Sequence, residues 1–202
     1  MMRVAFLASG RGSNAEALIL ACREGKVQAT AALLLVDRPQ AGALQVAQQL
    51  GIPAQVVDAN DYAGKGAHER AIASHLQKER IDLLCLAGYR RLLSPFLVGL
   101  MYDARLGQSR ILNIHPADTN AYQGLHGYQW ALQNGLERTA ITVHYVDEGM
   151  DTGSIIAQEP LPLLPGDDLE SLQQRGLALE HQLYPRALQS VIEEYQSLCA
   201  AF

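Results

Sequence analysis

The chain is short of the residues that build metal knuckles, disulfide scaffolds and membrane spans. Its 202 residues include three cysteines, Cys22, Cys85 and Cys199. They are far apart, odd in number and form no CxxC pair, which argues against a zinc knuckle or a disulfide framework. Cys85 lies inside the apolar run LLCLAG and reads as core filler. No apolar run approaches the roughly 20 residues of a membrane span. The N-terminal MMRVAFLASGRG breaks into glycines too early for a signal peptide. Basic residues are also scarce, 16 against 21 acidic ones, for a formal charge of -5. A broad basic face is not expected, so nucleic acid is a poor partner, although a few local donors can still hold a phosphate. The full dinucleotide fingerprint is missing too. The turn SGRGSN carries Gly10 and Gly12 without GxGxxG spacing and without the lysine of a P-loop. These absences point to a reduced, soluble, cytoplasmic protein that handles small molecules, as a monomer or homodimer.

Aromatic residues make up only 6% of the chain, but hydrophobic residues reach 49%. That is enough for one full core, so residues 1–202 are expected to form a single domain. Short apolar runs alternate with helical segments of about ten residues. Strands are expected at Val4 to Ala8, Thr30 to Val36, Ala54 to Val57, Asp82 to Ala87 and Arg110 to Ile114. Helices are expected at Ala15 to Glu24, Ala43 to Leu50, His68 to Glu79, Leu92 to Met101 and Tyr128 to Asn134. Continuously apolar strands indicate a parallel sheet covered on both faces. Thr139 to Val146 and Ser154 to Leu161 read as an antiparallel hairpin, with helices at Asp168 to Tyr184 and Pro185 to Ala200 behind it. The fold class is therefore α/β: Rossmann-like, mostly parallel, with an antiparallel hairpin added in the C-terminal half. No repeat or linker interrupts it.

Two stretches carry chemistry. SGRGSN joins a strand to a helix, where backbone amides favour an anion. Arg11 adds positive charge, and Ser13 or Asn14 is placed to cap the helix. A tight turn with a cap remains the plain alternative. The second stretch is ILNIHP. Residues two apart in a strand share a face, so Asn113 and His115 point the same way from its carboxyl end. An amide donor beside an imidazole suits a developing oxyanion, and Asp151 in DEGMDTG is the best candidate for a base. The alternatives are a strand end that merely satisfies loop backbone and a turn-forming aspartate. A metal set of His115, Asp118 and His126 matches no strong ligand spacing. His144 reads as structural or surface, His68 and His75 as solvated helix residues, and His181 as a helix-face residue.

The segments SGRGSN, LAGYRRLLSP, LNIHP, YQGLH, VHYVDEGMDTGSII and LEHQLYP together resemble the 10-formyltetrahydrofolate-dependent formyltransferases from Arg3 to about Ile192. The GRGSN turn is similar to the branch that formylates glycinamide ribonucleotide in purine synthesis. The resemblance implies a catalytic trio of Asn113, His115 and Asp151. It implies a phosphate site at Arg11, Gly12, Ser13 and Asn14, and acceptor contacts at Pro116, Asp118 and Glu180. It implies a folate pocket from Lys65, Arg91, Leu92, Leu93, Asp147 and Met150, with His126 supporting Asp151 from behind. The co-substrate would be 10-formyltetrahydrofolate, with no metal. The chain departs from the family pattern at Ala117 to Asn120, where ADTN replaces a more apolar segment, and at Leu177, where a polar residue is expected. Both departures concern the acceptor. The same chemistry on another small amine, or hydrolysis of the formyl donor, therefore stays open.

Overall fold

The computed structural model describes residues 1–200. In chain order the elements are β1 (Met2–Ala8), α1 (Ser13–Arg23), β2 (Ala29–Val36), α2 (Ala43–Gln49), β3 (Ala54–Val56) and α3 (Lys65–Lys78). Then come β4 (Leu83–Leu86), α4 (Pro95–Leu100), β5 (Tyr102–Asp103), β6 (Gln108–Ser109) and β7 (Ile111–His115). The chain ends with α5 (Gly127–Gln133), β8 (Arg138–Tyr145), β9 (Ile155–Pro162) and α6 (Leu169–Ala200).

Seven strands form one sheet in the order β3-β2-β1-β4-β7-β8-β9. The first five are mutually parallel, while β8 and β9 pair antiparallel. The expected architecture is thus observed. Strand β1 shows why the apolar runs are continuous. Val4, Phe6 and Ala8 pack with α1, α2 and α6 on one face, and Ala5 and Leu7 pack with α3 and α4 on the other. Every residue from Val4 to Ala8 is buried, so no polar alternation is possible. Strand order reverses around β1, which lies between β2 and β4. In open α/β sheets a crevice opens at the carboxyl ends of such a pair. Strand β9 is one of the sheet's two edges and carries Pro160 and Pro162, residues that a central ladder rejects.

Three expectations change. Helix α6 is one element of 32 residues that runs through Pro185 rather than two helices. Proline removes the hydrogen bond to the carbonyl four residues earlier. Here Leu183, Tyr184, Ala187, Leu188, Val191 and Ile192 are all buried against the sheet, and their packing holds both halves in line. A small hairpin, β5 with β6, stands between α4 and β7 where none was expected. His68 is buried, not solvated, and one of its ring nitrogens lies 2.8 Å from the Val57 carbonyl.

Candidate active site

A cleft of about 460 Å³ opens at the carboxyl ends of β1, β4 and β7. That volume suits a small-molecule site. Its floor is the switch between β1 and β4, where the Ser9 amide donates to the Gly88 carbonyl at 3.3 Å. One wall is the turn from Gly10 to Asn14 and the other is the segment from Leu86 to Leu93. Asn113, His115, Asp151 and Glu180 all face it.

Strand β7 delivers Asn113 and His115 on one face, as the two-residue spacing required. Asp151 follows β8, in the left-handed region at φ 54°. Its carboxylate lies 3.4 Å from His115 Nδ1 and accepts from Asn113 Nδ2 at 3.2 Å and from the Gly124 amide at 2.9 Å. A fourth residue completes the cluster. His144 Nε2 lies 3.4 Å from Asp151 and 3.3 Å from Asn113 Nδ2. Antiparallel pairing places it there, because Asn113 of β7 sits opposite His144 of β8. His144 Nδ1 lies 2.8 Å from the Tyr145 carbonyl. Its Nε2 thus stands between the Asn113 amide and the Asp151 carboxylate. The sequence placed His144 outside the site. Its alternating strand resembles a half-exposed one, yet β8 is buried on both faces and His144 is 1% exposed.

The charges in this cluster are unevenly distributed. Burial raises the Asp151 pKa, but His144, His115 and the Gly124 amide together outweigh it and hold the carboxyl below its ordinary value. Asp151 is therefore ionised at neutral pH. Burial lowers the His115 pKa more strongly than the Asp151 charge raises it, so the ring is neutral in the free cleft. Its nitrogens face two acceptors, Asp151 and, at 3.1 Å, the Tyr122 carbonyl. A neutral ring has one proton for the two of them. The arrangement is poised to take up a second proton, or to exchange one acceptor for a ligand oxygen.

At the other end of the cleft, α1 begins at Gly12, in the left-handed region at φ 88° and 2.7 Å from Ala43 Cα if it carried a Cβ. Both the backbone and the packing therefore require glycine. No side chain caps α1, contrary to expectation, so its first amides point into the cleft unpartnered within the helix. The Asn14 amide is committed elsewhere, donating to Glu180 at 2.6 Å. Glu180 is 6% exposed and its pKa is raised, with burial outweighing its donors.

Comparison with known proteins settles the family. A profile described as formyl transferase matches residues 2–188. The chain belongs to the formyl transferase family. It is 38% identical to the phosphoribosylglycinamide formyltransferase of Bacillus subtilis (strain 168), over 95% of both chains. It is 42% identical to the trifunctional purine biosynthetic protein adenosine-3 of Drosophila melanogaster, covering 94% of this chain but only 14% of that longer protein. The crystal structure of phosphoribosylglycinamide formyltransferase from Bacillus halodurans superposes with a TM-score of 0.88 at 40% identity, covering 94% of this chain and 95% of that one.

The formyl transferase cleft does not gather every residue the sequence nominated. Arg11, Gly12, Ser13, Asn14, Pro116, Leu92, Leu93, Asp147 and Met150 line it. Arg91 lines it too, with its Nε fixed on the buried Asp37 at 2.9 Å. Lys65 opens α3, is exposed and lies outside the cleft lining. His126 lines the cleft mouth in the left-handed region and makes no hydrogen bond to Asp151; the supporting imidazole is that of His144. Asp118 does not line the cleft either. Its Oδ1 accepts from the Asn120 amide at 3.0 Å and from Gln158 at 3.2 Å, which ties the loop to β9. The divergent ADTN segment is thus a turn anchored away from the cleft, whereas Leu177 does face it. Among the described residues no group of three or more His, Cys, Asp or Glu side chains is placed to hold a metal ion, and no helix is long and apolar enough to cross a membrane.

Proposed function

We propose that the chain transfers the formyl group of 10-formyltetrahydrofolate to the amine of glycinamide ribonucleotide. The observation that carries this reading is the cluster of Asn113, His115 and an ionised Asp151 in a cleft that also contains the open amide end of α1. The folate donor supplies an activated formyl group, and the apolar rim of Leu92, Leu125 and Met150 suits a flat heterocycle. The phosphate lies on the Gly12 to Asn14 turn, with Arg11 beside it and Glu180 on the acceptor.

The acceptor amine attacks the formyl carbon and the carbonyl electron pair moves to oxygen. Asn113 Nδ2, within reach of Asp151 and His144, turns one N–H to that oxygen. A His115 N–H meets the same oxygen, which takes the place of the Tyr122 carbonyl. A donor of this kind contributes on the order of a hundred- to a thousand-fold in rate. The attacking nitrogen then loses a proton, through water, to the carboxylate of Asp151. The oxygen's electron pair then returns to re-form the carbonyl, the bond to the folate nitrogen breaks, and the proton held by Asp151 passes through water to that leaving nitrogen. Proton transfer of this type contributes roughly a hundred- to ten-thousand-fold.

Leu177 favours a second reading, the same chemistry on another small amine, because an apolar side chain stands at the acceptor end. Purified protein with 10-formyltetrahydrofolate, assayed with glycinamide ribonucleotide, with a panel of other amines and with no acceptor, separates the possibilities. Tetrahydrofolate release that requires glycinamide ribonucleotide is expected. Release with no acceptor would make the chain a hydrolase, and release only with another amine would reassign the substrate.

A further inference from the structure

Each oxygen of the buried Glu180 carboxyl has one donor. Asn14 Nδ2 serves Oε2 at 2.6 Å and the Tyr128 hydroxyl serves Oε1 at 2.5 Å. Tyr128 comes from the first turn of α5 and has no part in the chemistry above. Its seat depends on Gly176 in α6. A Cβ on Gly176 would lie 2.1 Å from the Tyr128 hydroxyl oxygen and 2.4 Å from the nearest ring carbon. Gly176 lies within a regular helix, where glycine is a poor residue, so space and not backbone geometry demands it. Beside this pair, Asn14 Oδ1 is buried without a hydrogen-bond partner. The carboxylate of Glu180 and that oxygen form two adjacent acceptors at one end of the cleft.

We propose that Tyr128, seated on Gly176, is a positioning residue that fixes Glu180 to receive an N–H or O–H group of the acceptor. The proposal rests on the reading of Glu180 as an acceptor contact. The hydroxyl acts in two ways. It pins one carboxyl oxygen so that the other keeps its direction, and it favours the ionised form against burial. Without it, Glu180 is freer to turn and holds its proton to higher pH.

The test uses Tyr128→Phe, Gly176→Ala and the double variant, with whichever amine the wild type formylates. Two readouts are taken: steady-state constants for both substrates, and the Glu180 titration in unliganded protein by carboxyl 13C NMR. Tyr128→Phe should raise the acceptor KM about tenfold, the scale of one buried polar group losing its partner, and leave kcat and the donor KM within about twofold. The Glu180 midpoint should move up. Gly176→Ala should reproduce both changes, and the double variant should be no worse than the more affected single one, because both remove the same contact. An unchanged Glu180 titration in Tyr128→Phe overturns the proposal, as does an equal loss in kcat and both KM values. A shifted titration with an unchanged acceptor KM would instead remove Glu180 from the acceptor site. If Gly176→Ala fails to fold, Tyr128→Phe decides alone.

Discussion

The cleft contains two carboxylates, one partly buried and one buried, each bonded to an asparagine amide, and they behave in opposite ways. Asp151 is held below its ordinary pKa and Glu180 is pushed above it. Burial raises both. The difference lies in the remaining partners. Asp151 has two imidazoles and a backbone amide around it. Glu180 has a second neutral donor, Tyr128, with His181 exerting only a weaker pull. Neighbours that carry or can take up charge outweigh desolvation, and neutral donors do not. One carboxylate is thereby kept ionised beside two imidazoles, and the other is held between two fixed neutral donors.

Exchanging the two losses tests this contrast. The largest effect is expected from Asp151→Asn, which should lower kcat by roughly a thousand- to ten-thousand-fold and leave the acceptor KM nearly unchanged. A variant that keeps a tenth of wild-type kcat would break the contrast. Asn113→Ala follows, with kcat down on the order of a hundred- to a thousand-fold in single-turnover measurements. His144→Leu should cost less in rate but should show in the pH profile. His144 helps to lower the Asp151 pKa, so its loss lets Asp151 protonate at higher pH and shifts the acid limb of kcat/KM upward. An unmoved limb would assign His144 to packing alone. Glu180→Gln should change the acceptor KM about tenfold with kcat little altered.

The smallest effect concerns stability. Asp151 has a lowered pKa, so its contribution is present above its ordinary value of 3.8 and is lost as pH falls through the folded value. His115 is also lowered, from 6.5, by burial. Below that pH the unfolded chain takes up a proton that the folded chain refuses, and stability falls. His115→Gln should therefore flatten the upper part of the acid denaturation curve and leave the lower part in place. Urea midpoints across the pH range would show this.

Much of the scaffold was legible in the residues. Buried parallel strands such as ALLLV leave an unbroken apolar run, and the glycine turn marks the helix that follows. Asn113, His115 and Asp151 could be nominated because strand periodicity and family resemblance agreed. What escaped was set by pairing across the chain. His144 belongs to the site through its register with Asn113, which no local pattern encodes. The β5 and β6 hairpin has strands of two residues each, too short for any period. Pro185 reads as a helix stop because the local rule is sound, but tertiary packing overrides it. Lys65 and Asp118 have side chains suited to ligands, yet one is placed beyond the cleft and the other is occupied by its own turn.

The register of β8 has one more consequence. Asn113 faces His144, and His115 faces Thr142, two residues along the same face. A single residue inserted between Thr142 and His144 turns the imidazole to the opposite side of the sheet. Two inserted residues return it to the same side but carry it roughly 6.6 Å along the strand. Either change removes the ring from Asp151, which it now meets at 3.4 Å. The strand is therefore fixed in length as well as in facing. Both insertions should shift the acid limb of kcat/KM in the same way as loss of the imidazole.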